Sequence, residues 1–170
     1  MALTPTEFRN ALRSFAAGVT VVTTRDPEGH PSGLTASAFT SVSLEPPLVL
    51  VCVDHGATAH PDFRACGRFA VNVLRREQEA LSRQFAVSGG DKFRGVPHHD
   101  GKSGLPLLDG ALATLECRLV DAHEAGDHTI FIGEVEVASV AGGRPLVYFH
   151  GAYHSLMADS GAPSGDGGQT

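Results

Sequence analysis

Apolar and polar positions along this chain change period several times, and each change marks an element. Phe8, Leu12 and Phe15 recur at spacings of four and three, which is one face of a helix. Thr4-Pro5-Thr6-Glu7 stands before them with a capping residue, a proline for the first helical position and a glutamate that completes a capping box. Ala16-Ala17-Gly18 supplies a C-terminal glycine, so the pattern predicts a helix from about 5 to 16. Val19 to Thr24 is β-branched throughout and predicts a strand. Asp26-Pro27-Glu28-Gly29 is turn chemistry, with a hairpin return through Ser32 to Phe39. Leu48 to Val53 is a continuous apolar run, the pattern of a buried central strand.

Asp54 to His60 is a polar loop, and Pro61 to Ala65 starts a short helix. Phe69 to Leu74 predicts a strand with Asn72 inside it. Glu77 to Phe85 predicts an amphipathic helix with Leu81 and Phe85 on one side. From Ala86 to Gly104 the chain is Gly-, Asp- and His-rich, a long excursion with one short helical turn near Asp91 to Phe93. Excursions of that length are more often functional or mobile than inert. Leu105 to Leu108 leads to the turn signal Asp109-Gly110. Ala111 to His123 and His128 to Val140 are two long strand-like runs joined by Glu124-Ala125-Gly126-Asp127, a hairpin pattern. Gly142 and Gly143 make another turn, and Leu146 to Phe149 is expected to close the sheet. Many antiparallel strands with a few short helices predict a mainly β fold, a barrel with helical additions. The repeated βαβ spacing of a Rossmann domain is missing, and so are GxGxxG and GxxxxGK[ST].

Composition narrows the class. A chain of 170 residues with 42% hydrophobic and 19% charged positions is expected to form one soluble domain, here 1–158, with a Gly/Ser/Pro-rich disordered tail over 159–170. The net charge of −6 argues against general binding to nucleic acid or anionic membranes. No apolar run approaches the roughly 20 residues of a membrane span. Neither a basic n-region nor an apolar h-region opens the sequence, so no signal peptide is expected. Cys52, Cys66 and Cys117 are odd in number and widely spaced, which suits reduced thiols of a cytoplasmic protein.

The candidate chemistry centres on Gly33 to Pro47. Thr35, Ser37, Thr40, Ser41 and Ser43 place five hydroxyls within nine residues, spaced by the small Ala36, Ala38 and Val42. Small residues admit a ligand close to the backbone, and hydroxyls with free N–H groups hold phosphate or a polar ring edge. Arg83 and Lys92 can neutralise a phosphate cradled by Ser37, Ser41 and Thr58; solvated surface charges are the other reading. In Gly126-Asp127-His128 the histidine stands where a hairpin enters a strand, either facing a ligand or pointing at water. His98-His99-Asp100 and the pair His55/His60 match no standard metal spacing, so no metal is expected. No GxSxG elbow supports a serine hydrolase.

Taken together, GLTASAFTSVSLEPPLVLVCVD, GRFAVNVL, LSRQFA, DKF, LDGALATLECRL and AGDHTIFIGEV resemble the flavin reductase-like family, in the family's order and from about Phe8 to Leu156. The resemblance implies an FMN-binding split β-barrel and a homodimer. It implies NAD(P)H:flavin oxidoreductase activity, with FMN (or FAD) reduced by NADH (or NADPH). Reduced flavin would then diffuse to a partner flavin-dependent monooxygenase. By the same resemblance Thr35, Ala36, Ser37 and Ala38 line the isoalloxazine edge, and Ser41, Val42 and Ser43 the ribityl-phosphate side. Asp54 and Thr58 fall on the next flavin-contact loop. Ser82, Arg83 and Phe85 belong to the phosphate-side helical segment, with Lys92 beyond it. His128 matches the histidine near the nicotinamide and is the catalytic candidate, positioning and polarising rather than attacking. Ala59-His60-Pro61 departs from the family pattern, and the variable His150 to His154 leaves a nicotinamide contact by Tyr153 open. Two alternatives stand beside this reading. One is a split-barrel flavin or haem binder without reductase activity. The other is a partner-bound subunit whose role is interaction.

Overall fold

The computed structural model describes residues 3–156. The expected domain end at 158 and the tail over 159–170 lie outside the described residues. The elements are α1 (Pro5–Leu12), β1 (Ala17–Gly18), β2 (Thr20–Arg25), β3 (Pro31–Ala36), β4 (Phe39–Leu44), β5 (Pro47–Asp54) and α2 (His60–Cys66). They continue with β6 (Arg68–Val73), a 3-10 turn at Arg76–Gln78, α3 (Glu79–Ala86), β7 (His98–Asp100) and β8 (Pro106–Leu108). The long hairpin β9 (Ala113–Ala125) and β10 (His128–Val140) follows, then β11 (Leu146–Phe149) and β12 (Ala152–Ser155). Seven strands form one antiparallel sheet in the order β3-β2-β6-β9-β10-β5-β4, a mainly β split barrel.

The β-branched run of β2 is buried on both faces, and strand alternation explains why. Val22 points into a cluster with Val51, Val53, Phe63, Phe69 and Phe131. Val21 points the other way, into a cluster with Leu74, Phe85, Phe93 and Leu108. Helix α2 seals the first cluster with Phe63, whose ring stacks on Phe131 at 5.1 Å. The polar residue inside β6 has a structural task. The Asn72 Nδ2 donates to the Val21 carbonyl at 3.0 Å, and its Oδ1 accepts the Leu108 N–H at 2.8 Å, which fastens β8 to the barrel wall. Glu116, also buried, accepts the N–H groups of Lys102 at 3.0 Å and Ser103 at 2.6 Å and anchors the end of the long excursion.

Four expectations are corrected. The first helix carries the predicted capping box between Thr4 and Glu7 but ends at Leu12, because Ala17 and Gly18 are drawn into pairing with Tyr148 and Val147. Among the described residues none of its side chains is buried: Phe8 and Leu12 are exposed, as is Phe15 in the turn beyond. The apolar run of β5 is second from the sheet edge, not central, since β4 covers it, and its burial alternates. β11 does not close the main sheet; it pairs with β1 and β12 in a separate three-stranded sheet. Within the excursion the expected helical turn is a hydrogen-bonded turn over 92–95, and β7 pairs with β8.

Candidate active site

The hydroxyl stretch turns a corner. β3 ends at Ala36, and Ser37-Ala38 carry the chain into β4. Three hydrogen bonds hold that corner. The Thr20 hydroxyl donates to the Ala36 carbonyl at 2.7 Å, the Cys52 N–H donates to the Ala38 carbonyl at 3.0 Å, and the Thr35 hydroxyl donates to the Ser82 carbonyl at 2.7 Å. Because the corner residues are small, a cavity of about 630 Å³ opens beside it. Tyr148 and Phe149 of β11 and the following turn, His150 and Gly151, also line it, with Cys52 of β5 and Leu12 and Arg13 of the first helical segment. Small-molecule sites span roughly 300–1,000 Å³ and are mostly apolar with a few polar groups, which describes this cavity.

The remaining hydroxyls continue along the sheet edge. A bulge between Ser41 and Ser43 turns Val42 outward, where it is exposed. The Ser43 hydroxyl accepts the Glu45 N–H at 3.2 Å. Thr58 and Lys92 meet in a second, polar pocket of about 90 Å³ with Ser32, Gly33 and Gly90. The Lys92 ammonium donates to the carbonyls of Gly33 and Phe85, each at 3.2 Å. An ammonium has three donors, so one remains. Burial pushes the Lys92 pKa down from its ordinary value, since the charge has lost water and gained only neutral partners. The Thr58 hydroxyl accepts the Gly89 N–H at 3.3 Å.

His128 is the first residue of β10 and pairs across the sheet with Asp54. Its Nδ1 lies 2.7 Å from the Asp127 carboxylate. That hydrogen bond holds the Asp127 pKa below the ordinary aspartate value. When Nδ1 donates to Asp127, Nε2 keeps its lone pair for a ligand. Asp54 accepts the Gly56 N–H at 2.6 Å and so shapes the loop beside the histidine.

Other expected site residues, Ser82, Arg83 and Phe85, do not line the 630 Å³ cavity. Ser82 and Phe85 are completely buried, which corrects the expectation that their side chains meet a cofactor. The Phe85 ring stacks edge-on against Phe93 at 4.9 Å, inside the core. The Ser82 hydroxyl is 2.7 Å from the Tyr153 hydroxyl, so the Tyr153 oxygen faces α3 and not the cavity. Arg83 is exposed, ion-paired to Glu79 at 2.7 Å and stacked over the Tyr153 ring at 4.8 Å. The histidines of the two His-containing stretches have partners too. His98 Nδ1 meets the Val96 carbonyl at 2.8 Å and His99 Nδ1 meets Asp109 at 2.7 Å. His55 and His60 both contact the Thr129 hydroxyl, at 3.2 and 2.8 Å. Cys52, Arg13 and His150 were not among the site residues read from the sequence. They come from distant segments, and only the fold brings them to one cavity.

The sequence profile of the "Flavin reductase like domain" matches residues 12–157. FMN reductase (NADH) SmoA of Agrobacterium fabrum is 45% identical over 146 residues, covering 86% of this chain and 83% of that protein. The actinorhodin polyketide dimerase of Streptomyces coelicolor is 44% identical over 161 residues, covering 94% of this chain and 91% of its own length. Among solved structures, the NADH:FAD oxidoreductase SgcE6 of Streptomyces globisporus C-1027, in complex with NAD and FAD fragments, superposes with a TM-score of 0.88. It shares 40% sequence identity and covers 95% of this chain and 99% of its own.

Proposed function

This chain belongs to the flavin reductase-like family, and on that premise we propose that it is an NAD(P)H-dependent flavin reductase that supplies reduced flavin to a partner monooxygenase. The observation that carries the reading is the 630 Å³ cavity against the Ser37-Ala38 corner, in a chain that superposes nearly end to end on an oxidoreductase bound to NAD and FAD fragments. The residues fit a flavin. The corner side chains are small enough for a flat ring system to approach the backbone, and the apolar walls exclude water from it.

The chemistry a bound flavin supplies is acceptance of hydride from the nicotinamide. The chain's own residues hold and orient. The backbone of Thr35 to Ala38 flanks the ring edge, and its N–H groups favour negative charge there. Ser41 and Ser43 on the sheet edge, with Thr58 and the remaining Lys92 N–H, are assigned to the ribityl-phosphate side. His128, its Nδ1 held by Asp127, offers Nε2 to the nicotinamide side, with Asp54 shaping the loop. No nucleophile is needed, because position and electrostatics are what the protein contributes.

FMN and FAD both suit the cavity, and NADH is the assigned donor. The working unit is a homodimer, since the exposed apolar face of α1 beside the cavity mouth suits a second copy of the chain. Among the described residues no helix is long and apolar enough to cross a membrane, and a cytoplasmic protein with reduced thiols is the setting assigned.

The test is NADH oxidation followed at the nicotinamide absorbance band with FMN or FAD added, in air and under argon. Flavin-dependent loss of NADH, with flavin bleaching under argon, is the expected outcome. Flavin binding without NADH oxidation would transfer the protein to the non-reductase flavin binders.

A further inference from the structure

Ser82 has no exposed surface, yet both of its oxygens are engaged, each with a residue two positions from a segment that lines the cavity. Its carbonyl accepts the Thr35 hydroxyl at 2.7 Å. Thr35 lies two residues before Ser37, where the first wall begins. The Ser82 hydroxyl sits 2.7 Å from the Tyr153 hydroxyl. Tyr153 lies two residues after Gly151, where the second wall ends. A single buried residue of α3 therefore spans the two walls.

The second wall needs such a tie. Among the described residues β12 is the edge strand of a three-stranded sheet and pairs with β11 alone. The hairpin is held at its other side by β1 and by the His150 N–H, which donates to the Arg13 carbonyl at 2.9 Å. On the β12 side, Tyr153 is the anchor: its hydroxyl reaches Ser82, and its ring lies beneath the Arg83 guanidinium. α3 is itself fixed on the far side, where Gln84 Nε2 donates to the Lys92 carbonyl at 2.8 Å and the Arg94 carbonyl at 3.1 Å. Phe85 roots it in the core.

We propose that Ser82 and Tyr153 are positioning residues that set the width of the cavity by tying the β11–β12 hairpin to the Thr35–Ala38 corner through α3. They touch neither flavin nor nicotinamide. They act by fixing the gap into which two stacked rings must fit, and that gap controls hydride transfer more steeply than it controls stability. The proposal rests on the reductase reading of the cavity.

The experiment uses the full chain and three variants: Tyr153→Phe, Ser82→Ala and the double substitution. Tyr153→Phe removes one oxygen and leaves the ring under Arg83. Ser82→Ala keeps the carbonyl that holds Thr35. Each single variant is expected to bind FMN about five- to tenfold more weakly by fluorescence titration, and to lower kcat for NADH oxidation by a similar factor. The double variant is expected to be no worse than either single one, because all three lack the same bond. Melting temperatures are measured alongside. Multiplying effects in the double variant would overturn the proposal. So would a loss confined to melting temperature, with FMN affinity and kcat within about twofold of the unaltered protein. If the unaltered chain binds FMN but does not oxidise NADH, the reductase reading fails, and the titrations still decide whether this tie sets the cavity.

Discussion

Gly133, in the middle of β10, has no room for a side chain. A Cβ there would stand 2.5 Å from the Phe69 ring and 2.8 Å from the Cys117 Cβ. Both neighbours are fully buried, so neither can swing away. Gly133→Ala is expected to cost about 1–3 kcal/mol of unfolding free energy, read from urea denaturation. An unchanged midpoint would mean the barrel wall can yield. Cys117 shows the same crowding through its chemistry. Burial, with Glu136 and Glu116 nearby, pushes its thiol up to about 12. At pH 8 only about one molecule in ten thousand carries the thiolate that reacts. Under native conditions iodoacetamide should modify the partly exposed Cys66 and leave Cys117 untouched, as mass spectrometry would show; Cys117 reacting first would contradict the burial. For His128, whose Nδ1 is held by Asp127, replacement by alanine should raise the KM for NADH while leaving flavin affinity nearly unchanged. Equal losses in both would move the residue from the nicotinamide side to the flavin itself.

At the scale of elements, α2 shows how packing changes what a local pattern means. His55 and His60 sit where a metal pair would attract attention, but the fold gives both to Thr129 at the start of β10. Burial pushes the His60 pKa below its ordinary 6.5; nearby His55 and Arg64 act in the same direction, and Glu124 and Asp54 oppose them. The folded state therefore binds this proton less readily than the unfolded chain does. The stability this histidine contributes is complete above pH 6.5 and is lost as the pH falls below it. The melting temperature should drop between pH 7.5 and 5.5, and His60→Gln should flatten that part of the profile. An identical slope in the variant would assign the loss to another group. α1 carries the complementary lesson. Its start was legible to the residue, because capping is a bond between Thr4 and Glu7, three positions apart. Its end was not, because pairing of Ala17 with Tyr148 decides it from the other end of the chain.

For the whole molecule, the apolar surface of α1 and of the turn that follows it stays exposed among the described residues. Phe15 is 77% exposed and Leu12 55%, an arrangement that costs a lone chain much of the benefit of those side chains. Phe15→Glu is expected to shift the sedimenting species from dimer to monomer and to weaken flavin binding, since the same residues bound the cavity. A monomeric unaltered protein, or a dimer indifferent to this substitution, would put the interface elsewhere.

The sequence by itself determined most strands of the main sheet, the long β9–β10 hairpin and the family, because each of these is written in residues close together in the chain or in motifs kept in order. It marked the Ser37–Ala38 corner and His128 for the same reason, and it missed β1, β4, β7 and β12. Tertiary structure alone decided that β11 leaves the barrel, that Ser82 turns inward, and that Leu12, Cys52 and Gly151 share one cavity with that corner. Those outcomes depend on which distant segments compete for the same partner, and hydrogen bonding and burial settle that competition only when the whole chain is folded.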